Sequence, residues 1–590
     1  MKPSRLLVIA VLAFLATMCA SVPHARQSRV PRLEELSLNE KVGQMFVCVA
    51  RGSFMNASSP GYAALLHQVR DNHIGGFIWT ISNVYETAEL NRRLQAESRV
   101  PLLISADLEA GIGMRFSDTT FWPSAMAVAA TGDPALAEAE GKVVALEARA
   151  IGVNHILAPV ADVNVDPDNP VINTRSFGED AMEVSKYVAA FVRGVQSEHA
   201  LACAKHFPGH GDTHIDSHRS LPRLDVTRER LDRVELVPFR AAIDAGVASI
   251  MIGHLAVPAL DGGAVPVRTN VEPGENPYGA RAEEVLQNGT MPATTSKAII
   301  TGLLRHDLKF DGLVISDAMD MGGITEHFDA GEAAIRAIDA GQDQILMSPN
   351  TDAAIAAVKA AVVSGRLSEA RIDESVRRIL AAKKRAGAPV ATSDEIFRTV
   401  DSTEHSGLAA AIARRALTLL REGDGILPLK RTAKVTIVQI SDFAEVAAPL
   451  PDFEREVSKR LAVKPKVLLI DGRARPEDAA RVLEATRNDS VVIFALAVRA
   501  RSGSGQIAVP EAARKVIAGM PPNVHSVAVS FGSPYLLREI PTVGTYFCAY
   551  GIQPVMQVAA AAAIFGETSV AGRLPVTIPN GYGRGAGLTK

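Results

Sequence analysis

Eight short apolar runs recur between residues 42 and 347, separated by longer segments with helical periodicity. They are Val42–Val49, Ile74–Thr80, Pro101–Asp107, His155–Asp162, Leu201–Phe207, Ala248–His254, Gly312–Asp317 and Asp343–Met347. Each is nearly continuous in hydrophobic character, as strands buried on both faces of a parallel sheet are. Parallel neighbours need long crossovers, and helix-like stretches such as Pro134–Ala150, Met182–Glu198, Arg228–Ala245 and Ser296–His306 supply them. Eight βα units in succession predict a TIM (β/α)8-type barrel over residues 30–385. The Pro- and Gly-containing stretch 261–288 is expected as a loop insertion beside its mouth.

A chain of 590 residues is too long for one ordinary domain. After a linker at 386–405 a second pattern of strands alternating with helices begins: Val435–Ile440, Val467–Ile470, Val491–Ala497, Ser526–Phe531 and Thr545–Tyr550. It predicts a doubly wound α/β sandwich domain over 406–590. Within it, Arg501-Ser502-Gly503-Ser504-Gly505 lacks the Lys-Ser/Thr ending of a phosphate loop and reads as a flexible surface loop.

At the other end, Lys2 and Arg5 precede an apolar run from Leu6 to Ala20. Residues 1–25 therefore read as a signal peptide, which implies an exported chain (periplasmic, secreted or cell-surface) with no membrane span once the leader is removed. Cys19 stands where a lipoprotein cysteine would, but Met18 before it suits lipidation poorly. Cys48, Cys203 and Cys548 show no pairing pattern and read as buried small hydrophobes. A net charge of −3 gives no case for nucleic-acid binding.

His206, His210, His214 and His218 repeat every fourth residue, which on a helix would stack four imidazoles on one face. Pro208, Gly209 and Gly211 deny that helix, so the run reads as a strand end followed by a loop, not as a metal site. Polar residues also mark the other strand ends: Asp107, Asp162, His254 and Asp317. Asp216 stands two residues before His218, and a bent loop would set carboxylate against imidazole, an arrangement suited to proton transfer. Asp317 ends an apolar strand, and on its residues alone is a nucleophile, a metal ligand or a turn cap. Asp311 and Asp320 are competing carboxylates. Asp107, Arg115, Arg175, Lys205 and His206 complete a set suited to an uncharged polyol or a mildly anionic ligand.

The segment Lys205–His218 resembles the signature of the β-N-acetylglucosaminidases of glycoside hydrolase family 3, from Lys-His-Phe-Pro-Gly-His-Gly to Asp-Ser-His. Asn169–Gly178, Met251–Leu260, Leu304–Asp317 and Gly572–Pro579 resemble further family segments in the same order. The resemblance implies Asp317 as nucleophile and His218 as acid/base oriented by Asp216. It implies Asp107, Arg115, Arg175, Lys205 and His206 as sugar contacts. It calls for no metal or organic cofactor. The implied reaction is release of terminal β-linked GlcNAc from peptidoglycan fragments or chito-oligosaccharides. The middle of Asp107-Leu108-Glu109-Ala110-Gly111-Ile112-Gly113-Met114-Arg115 departs from the family pattern. A β-glucosidase, a β-xylosidase or a glycoside phosphorylase of the same fold therefore stays in view. A non-catalytic cell-wall sugar-binding protein is the alternative from another class.

Overall fold

The computed structural model describes residues 29–590 apart from 53, 266, 269–289, 388–390 and 424. The leader at 1–25 and most of the 261–288 insertion lie outside the described residues. All eight apolar runs contain a strand: β1 (Phe46–Ala50), β2 (Gly76–Trp79), β3 (Leu103–Ala106), β4 (His155–Ile156), β5 (Leu201–Phe207), β6 (Ser249–Ile252), β7 (Leu313–Ala318) and β8 (Gln344–Leu346). They pair in parallel in chain order and close through β1 against β8, so the first domain is a closed (β/α)8 barrel.

Local chemistry explains where the elements differ from the sequence reading. The first strand starts at Phe46, not Val42. Ser37 and Glu40 form a reciprocal capping box that opens a helix over Leu38–Gln44. The β4 ladder stops early, because Pro159 has no N–H to donate; pairing with β5 resumes at Val160 and Lys205. The expected Arg228–Ala245 helix is two, Arg228–Arg233 and Val237–Asp244, the second carrying proline in its first turn.

The second domain is an open six-stranded sheet: β9 (Thr418–Arg421), β10 (Val435–Ile440), β11 (Lys466–Ile470), β12 (Val491–Leu496), β13 (His525–Ser530) and β14 (Thr545–Cys548). Its order is β9-β14-β13-β12-β10-β11, all parallel except the edge pair β9–β14. The sequence reading missed β9, a short edge strand that follows a helix directly. Cys48, Cys203 and Cys548 are buried and free. No helix among the described residues is long and apolar enough to cross a membrane.

The two domains share material. Helix α1 (Ala125–Ala130), from the segment between β3 and β4, puts Met126, Ala127 and Ala130 into the hydrophobic core of the second domain. Ser124 Oγ donates to the Tyr550 carbonyl at 2.9 Å, and the Arg573 N–H donates to the Ala130 carbonyl at 2.9 Å. Met126 is fully buried at this junction. Met126→Ala is expected to cost about 2–5 kcal/mol, the usual range for emptying such a site. In denaturant titrations the loss should fall on second-domain unfolding; an unchanged midpoint would show that α1 does not join the two cores.

Candidate active site

The carboxyl ends of the barrel strands open into a cavity of about 780 Å³. Asp107, Arg115, Arg175, Lys205, His206, His218 and Asp317 all line it. Asp216 lies directly behind His218, so the eight residues given catalytic or sugar-contact roles in the sequence reading come together here.

Lys205 and His206 end β5. The ladder to β6 shifts register between Ala204 and Phe207, and both side chains reach the cavity although they are consecutive. Lys205 is only 2% exposed and its ammonium is 2.7 Å from both Asp107 and Glu109. Arg115 pairs with Asp107 at 2.8 Å, and Arg175 clamps both oxygens of Glu109 at 2.7 and 2.8 Å. Burial would raise the Asp107 carboxyl, but Lys205 and Arg115 outweigh it and hold it at about 2. Burial likewise opposes ionisation of Glu109, and Arg175 with Lys205 holds it well below the usual carboxylate range. Glu109 is the member the sequence reading missed. Its signal was its place two residues after Asp107, within the stretch that departs from the family pattern.

His206 Nδ1 meets the buried carboxylate of Asp162 at 2.7 Å. The same carboxylate accepts the His210 N–H at 2.7 Å, so Asp162 anchors the loop that leaves β5. His210 is buried between Thr213 and Ser217, while His214 is 79% exposed and touches Asp166. The four-residue repeat thus spans four different environments. Among the described residues, no group of three or more His, Cys, Asp or Glu side chains is placed to hold a metal ion.

The Asp216–His218 pair is tightly built. Asp216 Oδ1 accepts the His218 backbone N–H at 3.0 Å and lies 2.7 Å from His218 Nδ1. That contact turns the opposite ring nitrogen away from the carboxylate. Asp216 Oδ2 accepts the Gly503 N–H at 2.7 Å, from the second domain. Burial would raise the Asp216 carboxyl, but His218 and these N–H groups outweigh it and keep it below its ordinary value. The segment 501–505, expected as a surface loop, therefore reaches the active-site cavity. Gly503 adopts φ 78°, a conformation that glycine takes without strain.

Asp317 ends β7 with Oδ1 accepting the Ala318 N–H at 2.8 Å. Burial raises its carboxyl; the imidazoles of His206, His254 and His218 and that N–H together hold it below the ordinary carboxylate value. His254 braces the strand end, its Nε2 donating to the Ala318 carbonyl at 2.9 Å and its Nδ1 facing Thr294 Oγ1 at 2.7 Å. The loop after Asp317 also ties the dyad loop in place: Gly322 and Gly323 donate to the carbonyls of His218 and Ser217 at 3.0 and 3.1 Å. A Cβ on Gly323 would stand 2.9 Å from His254 Cβ, so only glycine permits this approach. Of the rival carboxylates, Asp311 is 95% exposed, whereas Asp320 lines the cavity and burial raises its carboxyl.

Fold and cavity define an enzyme of the (β/α)8-barrel class, with its site at the carboxyl ends of the strands. Residues 37–382 match the family described as "Glycosyl hydrolase family 3 N terminal domain". Over 557 residues the chain is 31% identical to a β-N-acetylglucosaminidase/β-glucosidase of Cellulomonas fimi, covering 92% of this chain and 94% of that one. The structure of a family 3 β-N-acetylglucosaminidase from Paenibacillus sp. str. FPU-7 superimposes with a TM-score of 0.78 at 32% identity, over 92% of this chain and 99% of that one. A β-glucoside phosphorylase gives a TM-score of 0.79 at 25% identity, over 93% of this chain and 95% of that one. The chain belongs to glycosyl hydrolase family 3, in its two-domain, β-N-acetylglucosaminidase-like branch, and is a glycosidase acting on β-linked sugars.

The cation–carboxylate wall has a consequence for acid stability. Asp107 sits at about 2 in the folded chain against an ordinary 3.8, so its contribution is complete above about pH 4 and lost as pH falls towards 2. Asp107→Asn should lower Tm relative to the parent at about pH 6, and the gap should close on acidification through that window. A gap that does not change with pH would mean that Asp107 contributes packing, not charge.

Proposed function

We propose that the protein is an exported, retaining exo-β-N-acetylglucosaminidase. It removes terminal β-linked GlcNAc from peptidoglycan fragments or chito-oligosaccharides through a glycosyl-enzyme on Asp317, with Asp216–His218 as the acid/base pair. The observation that carries this reading is the carboxylate–imidazole pair sharing one cavity with Asp317, a strand-end carboxylate that no lysine or arginine neutralises among the described residues. The names of the relatives from Cellulomonas fimi and Paenibacillus support GlcNAc as the sugar.

In the first half-reaction an Asp317 oxygen attacks the anomeric carbon as the glycosidic bond breaks, and His218 gives its ring proton to the departing oxygen. Because Asp317 is held below the ordinary carboxylate value, it is ionised at neutral pH and ready to attack. In the second half-reaction His218 takes a proton from water, the water oxygen bonds to the anomeric carbon, and Asp317 leaves as the carboxylate. Most retaining enzymes use two carboxyl groups about 5–5.5 Å apart for these roles; here an imidazole does the second. Asp107, Arg115, Arg175, Lys205 and His206 hold the hydroxyls of the sugar that is retained. Their mutual ion pairs fix those side chains before substrate arrives, so little order is lost on binding.

Asp317→Asn should lower kcat for nitrophenyl β-GlcNAc by at least about a thousandfold. Turnover near the parent level would refute the nucleophile assignment. His218→Ala should lose about 10²–10⁴-fold on sugar leaving groups, which need a proton, and far less on dinitrophenolate, which does not. If Asp320→Asn shows that leaving-group dependence and His218→Ala does not, Asp320 is the acid. A panel of GlcNAc, glucose and xylose glycosides identifies the sugar.

A further inference from the structure

The layer of side chains beneath the Asp107–Lys205 wall is polar, although a barrel interior is normally filled by Val, Ile and Leu. Ser105 on β3, His155 on β4, Cys203 on β5 and Ser249 on β6 are all buried, and none of the four lines the cavity. Side chains two apart on a strand share a face. Ser105 therefore lies below Asp107, Cys203 below Lys205 and Ser249 below Met251, and those three upper residues do line the cavity. In the ladders Ser105 is the register partner of His155, and Cys203 that of Ser249. Burial pushes the Cys203 thiol up to about 12, and the thiol also feels the charges of Lys205, Asp107 and Asp317.

Hydrogen bonds run through this layer across the barrel. His155 Nδ1 lies 3.1 Å from Ser105 Oγ, and its Nε2 lies 2.7 Å from Ser249 Oγ. Ser249 Oγ in turn donates to the Ala202 carbonyl on β5 at 3.0 Å. A hydroxyl has one proton to give, which leaves one consistent arrangement. Ser249 gives its proton to Ala202, so it accepts from Nε2–H, and Nδ1 accepts the proton of Ser105. The ring is neutral with its tautomer fixed, and burial holds its pKa down at about 4. One imidazole thereby joins four strands, β3 to β6, with both ring nitrogens and both hydroxyl protons used. A satisfied buried network fixes one arrangement of its members, whereas apolar contact is non-directional.

We propose that His155 is a positioning residue for the sugar-binding wall: through Ser105 and Ser249 it sets the spacing of the β3, β5 and β6 strand ends, and with it the contact between Asp107 and Lys205. This rests on the reading of Asp107 and Lys205 as sugar contacts, and adds to it a residue that touches no substrate.

The test uses three variants of the full-length chain. Ser105→Ala removes one oxygen, His155→Leu removes both ring bonds, and His155→Gln keeps an amide N–H for Ser249. Each is made in the parent and in Asp107→Asn. Turnover is measured on whichever glycoside of the GlcNAc, glucose and xylose panel the parent cleaves fastest. In the parent background Ser105→Ala and His155→Leu should lower kcat/KM by about ten- to a hundredfold, the scale of a small misplacement. His155→Gln should recover part of that loss. In the Asp107→Asn background the same changes should cost at most about twofold, because the contact they control is already gone. A second readout needs no substrate. Asp107 is buried and faces Lys205, Arg115 and Glu109; loosening that set lets its carboxyl rise from about 2 towards its ordinary 3.8. The part of the Tm gap between chains with and without Asp107 that closes on acidification should therefore shrink in Ser105→Ala and His155→Leu. An unchanged gap overturns the proposal, as do losses of equal size in both backgrounds where Asp107→Asn itself slows turnover. If His155→Leu does not fold, Ser105→Ala decides alone. A gap that shrinks while Asp107→Asn keeps full turnover counts against Asp107 as a sugar contact, not against His155.

Discussion

Lys205 brings a full positive charge to a place where only 2% of its side chain meets solvent. It is stable there because Asp107 and Glu109, both from the end of β3, come within 2.7 Å of its ammonium. Breaking such a buried set leaves an uncompensated charge, at a cost of about 3–5 kcal/mol. Arg115 and Arg175 complete the balance, so charges from the loops after β3, β4 and β5 are locked to one another. This wall of the cavity is therefore held together by electrostatics. The parallel barrel makes this possible, since it delivers consecutive strand ends to one rim.

A second interaction joins the domains at the chemistry. The two oxygens of Asp216 are divided between partners: one serves His218, the other the N–H of Gly503. The imidazole is thus oriented by a carboxylate that a different domain helps to fix. The shared core around Met126 and the backbone bond from Arg573 to Ala130 hold that domain against the barrel. The second domain is therefore a wall of the active site, not an appended module.

Much of this was legible in the sequence. Buried parallel strands need continuous apolar runs, and all eight barrel strands lie in runs of that kind. The polar residues at the strand ends were visible because charge is conspicuous where an apolar run stops. Asp107, Arg115, Arg175, Lys205, His206, Asp216, His218 and Asp317 do meet around one cavity. Other features left weaker signals. Glu109 is an ordinary glutamate until Lys205 and Arg175 close on it. β9 is too short to show a period. The loop at 501–505 has the composition of a solvent-exposed turn, and nothing local says that it reaches Asp216.

The sequence by itself determined the barrel, the polar residues at its strand ends and the family, because strand burial and strand-end polarity are local properties of the chain. It also ruled out a helix through the four histidines, since Pro208 and the glycines act on their own backbone. Only the tertiary structure decided which charges neutralise which, and which stay unpaired. Lys205 finds Asp107 across 98 positions of chain, and Asp216 finds Gly503 across 287. Coulomb and hydrogen-bond energies depend on distance through space, and a sequence records only distance along the chain.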